Sequence, residues 1–96
     1  MNIENINNVL KSLGDEIEQK YKAKIIGIFG SHVRGDEKSS SDIDLLVDFN
    51  ETADLFDFVG LSLMLEEKFH RRVDIIPRES LREEIKPYVM KELIYI

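Results

Sequence analysis

Asp42 and Asp44 occupy alternate positions in Ser41-Asp42-Ile43-Asp44-Leu45-Leu46-Val47, a short way after a Gly30-Ser31 turn. In an extended strand, side chains point to opposite faces with period two. The two carboxylates therefore share a face, roughly 6–7 Å apart along the backbone. Ile43, Leu45 and Val47 take the other face and anchor the strand in a core. Two anions held side by side repel unless a cation sits between them. Mg²⁺ held by a few carboxylates plus substrate phosphates is a common solution. Upstream, Phe29-Gly30-Ser31-His32-Val33-Arg34-Gly35 places a glycine where backbone can approach a ligand closely. The turn leads into a short helix, an arrangement suited to anions.

These residues need strands to hold them. Ile3, Ile6, Val9, Leu10, Leu13 and Ile17 recur at helical spacing, which predicts one amphipathic helix over 2–20. Lys24 to Phe29 reads as a strand. Ser31 reads as the N-cap of a short helix ending at Gly35, followed by a polar loop over 36–41. Asp42 to Phe49 is the second strand. A helix over about 54–69, capped by Thr52 or Asp54, turns Leu55, Phe58, Val59, Leu63 and Phe69 inward. Arg71 to Ile76 is the third strand, with Asp74 and Ile76 facing away from Val73 and Ile75. Ser80-Leu81-Arg82-Glu83 reads as a capping box opening a short helix before Pro87, and Pro87 belongs in the first turn of a second helix after it.

The order is α-β-α-β-α-β-α, an α/β (α+β-like) chain with a small mixed β-sheet and flanking helices. The unit over 42–76 should be a right-handed parallel crossover, and the shorter link between the first two strands suits an antiparallel pair. The second strand is then central, and parallel pairing brings Asp74 beside Asp42 and Asp44.

Ninety-six residues form one domain and bury roughly 60–70% of the unfolded surface. A net charge of −6 argues against broad nucleic-acid binding. With no cysteine, neither a disulfide nor a thiolate zinc site can form. The first residues lack a signal-peptide pattern and no apolar run approaches a membrane span, so a cytoplasmic protein is expected. An EF-hand would need further oxygen ligands where Leu45, Leu46 and Val47 follow. Arg34-Gly35-Asp36 does not close a Walker loop. A phosphoaspartate hydrolase would need a longer chain.

Gly-Ser-x-x-Arg-Gly, a polar loop, then Ser-Asp-x-Asp-Leu-x-Val resembles the DNA polymerase beta-type nucleotidyltransferases, above all their minimal members. Arg72-Val73-Asp74-Ile75-Ile76-Pro77 is similar to the family's third-acid strand, so the likeness spans nearly all of residues 1–96 as a single minimal nucleotidyltransferase domain. The resemblance implies that fold and Mg²⁺-dependent transfer of a nucleoside monophosphate. By resemblance, Gly30 and Ser31 hold the distal phosphates of ATP. Arg34 binds phosphate or braces the 36–41 loop. Asp42 and Asp44 hold two Mg²⁺ ions, with Mn²⁺ able to substitute, and Asp74 joins them on the ion that activates the attacking hydroxyl. Minimal members often act beside a helical HEPN toxin as its antitoxin, attaching AMP to a tyrosine; a hetero-oligomer follows. The chain's acidity suits a basic, RNA-cutting partner. Two alternatives are neutralisation of the partner by binding alone and transfer to a small molecule such as an aminoglycoside. His32 reads as an exposed loop residue and Arg71-Arg72 as solvated. The apolar tail Leu93-Ile94-Tyr95-Ile96 is either core or interface.

Overall fold

A computed structural model of the chain describes residues 2–38 and 40–96. The first helical stretch is two helices, α1 (Ile3–Ser12) and α2 (Gly14–Tyr21). Asn2 caps α1 by accepting the Asn5 N–H at 2.8 Å. The single helix expected over 2–20 is interrupted at Leu13, whose φ of −95° and ψ of 0° leave the helical range. Gly14 lacks the side chain that would stiffen this point. Ile6, Leu10 and Ile17 nevertheless stay on one buried face.

β1 (Ala23–Phe29) leads through a single turn, α3 (Ser31–Arg34), to β2 (Ile43–Phe49). Ser39, part of the expected polar loop, lies outside the described residues. The long helix α4 (Leu55–Phe69) crosses to β3 (Val73–Pro77), and a 3₁₀ turn over Arg78–Ser80 precedes α5 (Lys86–Glu92) and the edge strand β4 (Ile94–Tyr95). The sheet order is β3-β2-β1-β4. β1 and β2 pair antiparallel and β2 and β3 pair parallel, as the link lengths predict. β4 lies antiparallel to β1, which answers the open question about the tail. Leu93 is buried and Ile96 packs on the core, while Ile94 and Tyr95 face outward from the sheet edge.

One face of the sheet carries Ile28, Ile43, Leu45, Val47, Val73 and Ile75 into a core shared with Ile6, Leu10 and Ile17 of α1 and α2 and Leu61, Leu65 and Phe69 of α4. The other face of β2 carries Asp44 beside the fully buried Leu46.

The facing of α4 differs from expectation. Phe58 and Phe69 do pack inward, but Leu55, Val59 and Leu63 are 72%, 45% and 61% exposed. This helix has apolar residues on most of its circumference, so periodicity alone does not fix its rotation. Packing does: a side chain at Gly60 would come within 2.9 Å of the Tyr21 ring, so α4 turns its Gly60 side to α2. Asp54, rather than Thr52, caps α4 in a reciprocal box with Asp57. The capping box expected at Ser80 does not form, because Leu81 is extended (φ −73°, ψ 120°) and no helix can start there. Pro87 sits in the first turn of α5 as predicted.

Candidate functional site

The parallel register sets Asp44 directly beside Asp74, and the antiparallel register sets Phe29 beside Asp44. Neighbours across a sheet point to the same side, so Asp44 and Asp74 share the face opposite the main core. Asp42, just before β2, adds to the same field. The consequence is visible at Asp44. Its carboxyl is half-buried, and its pKa is raised from 3.8 to about 6 by desolvation first, then by Asp74 and Asp42. Arg34 opposes the shift and Glu92 reinforces it.

Gly30 ends β1 against this acid. Its φ is +85°, a region open to glycine. A Cβ there would collide with the Asp44 carboxylate. Gly30, not Ser31, is the N-cap of α3, and no side chain caps that turn. The expected capping role of Ser31 is thus corrected: Ser31 is already inside the turn. The Gly30 carbonyl accepts from the N–H groups of Val33 (3.0 Å) and Arg34 (3.1 Å). Gly35, at φ +80°, closes the turn as predicted.

Arg34 reaches Asp36 at 3.4 Å and Glu92 at 3.2 Å, so it braces the start of the following loop and also ties it to α5. Both contacts hold its guanidinium charged, Asp36 more strongly. Glu92 Oε1 accepts the Gly30 N–H at 2.6 Å. Nothing local in the sequence marks Glu92, which comes from the last turn of a helix 62 residues away.

His32 is the other surprise. It is buried, not exposed in a loop. Arg71 Nη1 donates to its Nε2 at 3.1 Å, placing the neutral ring's proton on Nδ1. Burial first, and then the Arg71 charge, hold its pKa below the usual value. The Asp42 backbone stands near enough to favour a charged ring, yet Nδ1 has no hydrogen bond of acceptable geometry. Arg71, expected in solvent, thereby links the Gly30 turn to the start of β3; Arg72 is exposed as expected.

Phe29, Gly30, Arg34, Asp44, Tyr88, Val89 and Glu92 line a cleft of about 310 Å³. A larger hollow of about 480 Å³ lies elsewhere, bordered by Lys22, Lys24, Asp48 and Asn50, away from Asp44. Chemistry, not volume, marks the smaller cleft. Among the described residues, no three carboxylates or imidazoles are drawn together tightly enough to cage an ion unaided. The donor set nevertheless fits a divalent cation: hard oxygens, one acid half-buried with excess negative charge, and an open side where phosphate oxygens complete the shell.

Among the described residues no helix is long and apolar enough to cross a membrane. Residues 10–96 match the nucleotidyltransferase domain family. The chain is 36% identical over 96 residues to the protein adenylyltransferase MntA of Thermococcus cleftensis, covering all of this chain and 97% of that protein. It is 41% identical over 76 residues to a provisionally named protein adenylyltransferase of Methanocaldococcus jannaschii, covering 79% and 88% of the two chains. A solved structure provisionally described as a minimal nucleotidyltransferase superposes with a TM-score of 0.82 at 31% identity, over all of this chain and 97% of that one. A crystal structure of a toxin–antitoxin with AMP-PNP superposes with a TM-score of 0.72 at 27% identity, over 93% and 69%. The acid-bearing sheet, the Gly30-Ser31 turn and these matches agree, and the chain belongs to the nucleotidyltransferases, as an enzyme of their minimal family.

Proposed function

We propose that this nucleotidyltransferase moves AMP from ATP to a tyrosine hydroxyl on a partner HEPN-type toxin and so acts as its antitoxin in the cytoplasm. The observation that carries the reading is Asp44: a half-buried acid flanked by Asp42 and Asp74 and set against a glycine turn. Such excess charge favours a bound cation at neutral pH. Asp42 and Asp44 would hold two Mg²⁺ ions, and Asp74 would share one of them. Once bound, the ions supply positive charge to the oxygens entering and leaving phosphorus. Gly30, through its N–H, and Ser31, through its hydroxyl, hold the distal phosphates, with Arg34 at their edge. The acceptor hydroxyl gives up its proton to water or a neighbouring carboxylate and attacks the α-phosphorus; a new oxygen–phosphorus bond forms, the bond from the α-phosphorus to its bridging oxygen breaks, and pyrophosphate leaves.

Two features support a protein acceptor. The relatives named above include a protein adenylyltransferase and a toxin–antitoxin with AMP-PNP. The chain also exposes an apolar stripe on α4: Leu55, Phe56, Val59 and Leu63, with Phe56 86% exposed. Helical spacing of this kind suits a protein surface.

The test is incubation of the chain with radiolabelled ATP, Mg²⁺ and the candidate toxin. Label on a toxin tyrosine, with loss of toxicity, is the expected result. A tight complex that silences the toxin without label would replace transfer by occlusion.

A further inference from the structure

The groups assigned above to the nucleotide's phosphates are not idle. Glu92 Oε1 accepts the Gly30 N–H at 2.6 Å. Arg34 Nη1 donates to both Glu92 oxygens, at 3.2 and 3.3 Å. A carboxylate presents the same paired-oxygen edge that a phosphate would. A backbone N–H is a single donor and cannot serve both. Glu92 also adds to the negative charge around Asp44, where an incoming triphosphate is already repelled.

We infer that Glu92 is an internal competitor for the nucleotide's phosphates, a carboxylate plug that must leave Gly30 and Arg34 before ATP can seat. The inference rests on the nucleotide reading of this cleft. Its mechanical basis is α5. No residue of Lys86–Glu92 is fully buried, and only Val89, Met90 and Glu92 are partly covered, so Glu92 can withdraw without unpacking the main core. Its anchor is the buried Leu93, which follows Glu92 directly. Tyr88 and Val89, one turn earlier on the same helix, line the same cleft. Withdrawing Glu92 therefore also widens the cleft. While the plug is in, apparent ATP affinity is lowered by the fraction of molecules in which it is out.

The test titrates the full chain with Mg²⁺-ATP, and separately with inorganic tripolyphosphate, comparing wild type, Glu92→Ala and Glu92→Gln. Melting curves check that each variant is folded. Glu92→Ala should tighten both ligands about tenfold or more, and lower the KM for ATP more than it changes kcat. Glu92→Gln keeps an acceptor without the charge and should fall between; it carries the test if the alanine variant melts. Equal or weaker binding by folded variants overturns the plug and makes Glu92 a brace of the Gly30 turn. If wild type binds ATP without any gain in the variants, only the plug fails. If none of the three binds ATP, the nucleotide reading fails with it.

Discussion

Asp42-Ile43-Asp44 and Asp54-Leu55-Phe56-Asp57 both set two aspartates close together, yet the fold treats them in opposite ways. Asp57 accepts the Asp54 N–H at 3.0 Å in the first turn of α4, and Lys22 stands 3.6 Å away. Its pKa is lowered, by the backbone hydrogen bond first and then by Lys22. An anion at a helix N-terminus also meets the favourable end of the helix dipole. Asp44 lies on a buried strand among other acids, with the Arg34 charge opposing them only in part, and its pKa rises. Spacing alone says little. What separates a structural carboxylate from a chemical one is whether the fold supplies its countercharge or leaves that to a ligand.

The sharpest break in this comparison is catalytic. Asp44→Asn should reduce nucleotide transfer on the order of a thousandfold or more, since it removes the proposed metal position while keeping the side-chain shape. Asp57→Asn should leave transfer near wild type and lower the melting temperature instead. Steady-state rates and melting curves on both variants decide it, and comparable losses of transfer would erase the distinction. A smaller effect is expected at Ser31. Ser31→Ala removes the proposed charge-assisted contact to phosphate, worth about 1.5–3 kcal/mol, so KM for ATP should rise roughly ten- to a hundredfold. Because Gly30 is the cap of α3, melting should hardly move. A large melting loss with normal ATP use would return Ser31 to a purely structural role.

The smallest effect is in melting against pH, and its sign differs between the two acids. The Asp44 pKa is about 6 in the folded protein against 3.8 for a free aspartate. Between those values the metal-free native state keeps a proton that the unfolded chain has lost. Stability therefore falls as pH rises through this window and levels off above it. Asp57, with a lowered pKa, contributes stability above the ordinary carboxylate range that is lost on acidification. In EDTA, Asp44→Asn should flatten the fall between pH 4 and 6 by a few degrees, whereas Asp57→Asn should blunt the acid-side loss. At pH 7, Mn²⁺ should raise the melting temperature of wild type more than that of Asp74→Asn. Identical Mn²⁺ responses would remove Asp74 from the site.

What the sequence determined by itself was local. Alternation along a strand is covalent geometry, so Asp42 and Asp44 had to share a face, as did Val73 and Ile75 on theirs. The strand–helix–strand link required a parallel crossover, and that brought Asp74 to Asp44. Glycine before Ser31 marked the turn that ends β1 beside the acids. Tertiary packing decided the rest. The facing of α4 was undetermined because apolar residues surround it, and contact with Tyr21 at Gly60 chose one rotation. His32 looked like a loop residue because its partner Arg71 is 39 positions away. Glu92 carried no local signal at all: its meaning comes from the pairing of β4 with β1, which delivers the end of α5 to Gly30. Periodicity reports which way a side chain points within its own element. Which charge finally stands opposite it is set by contacts between segments far apart in the chain, and those form only when the core closes.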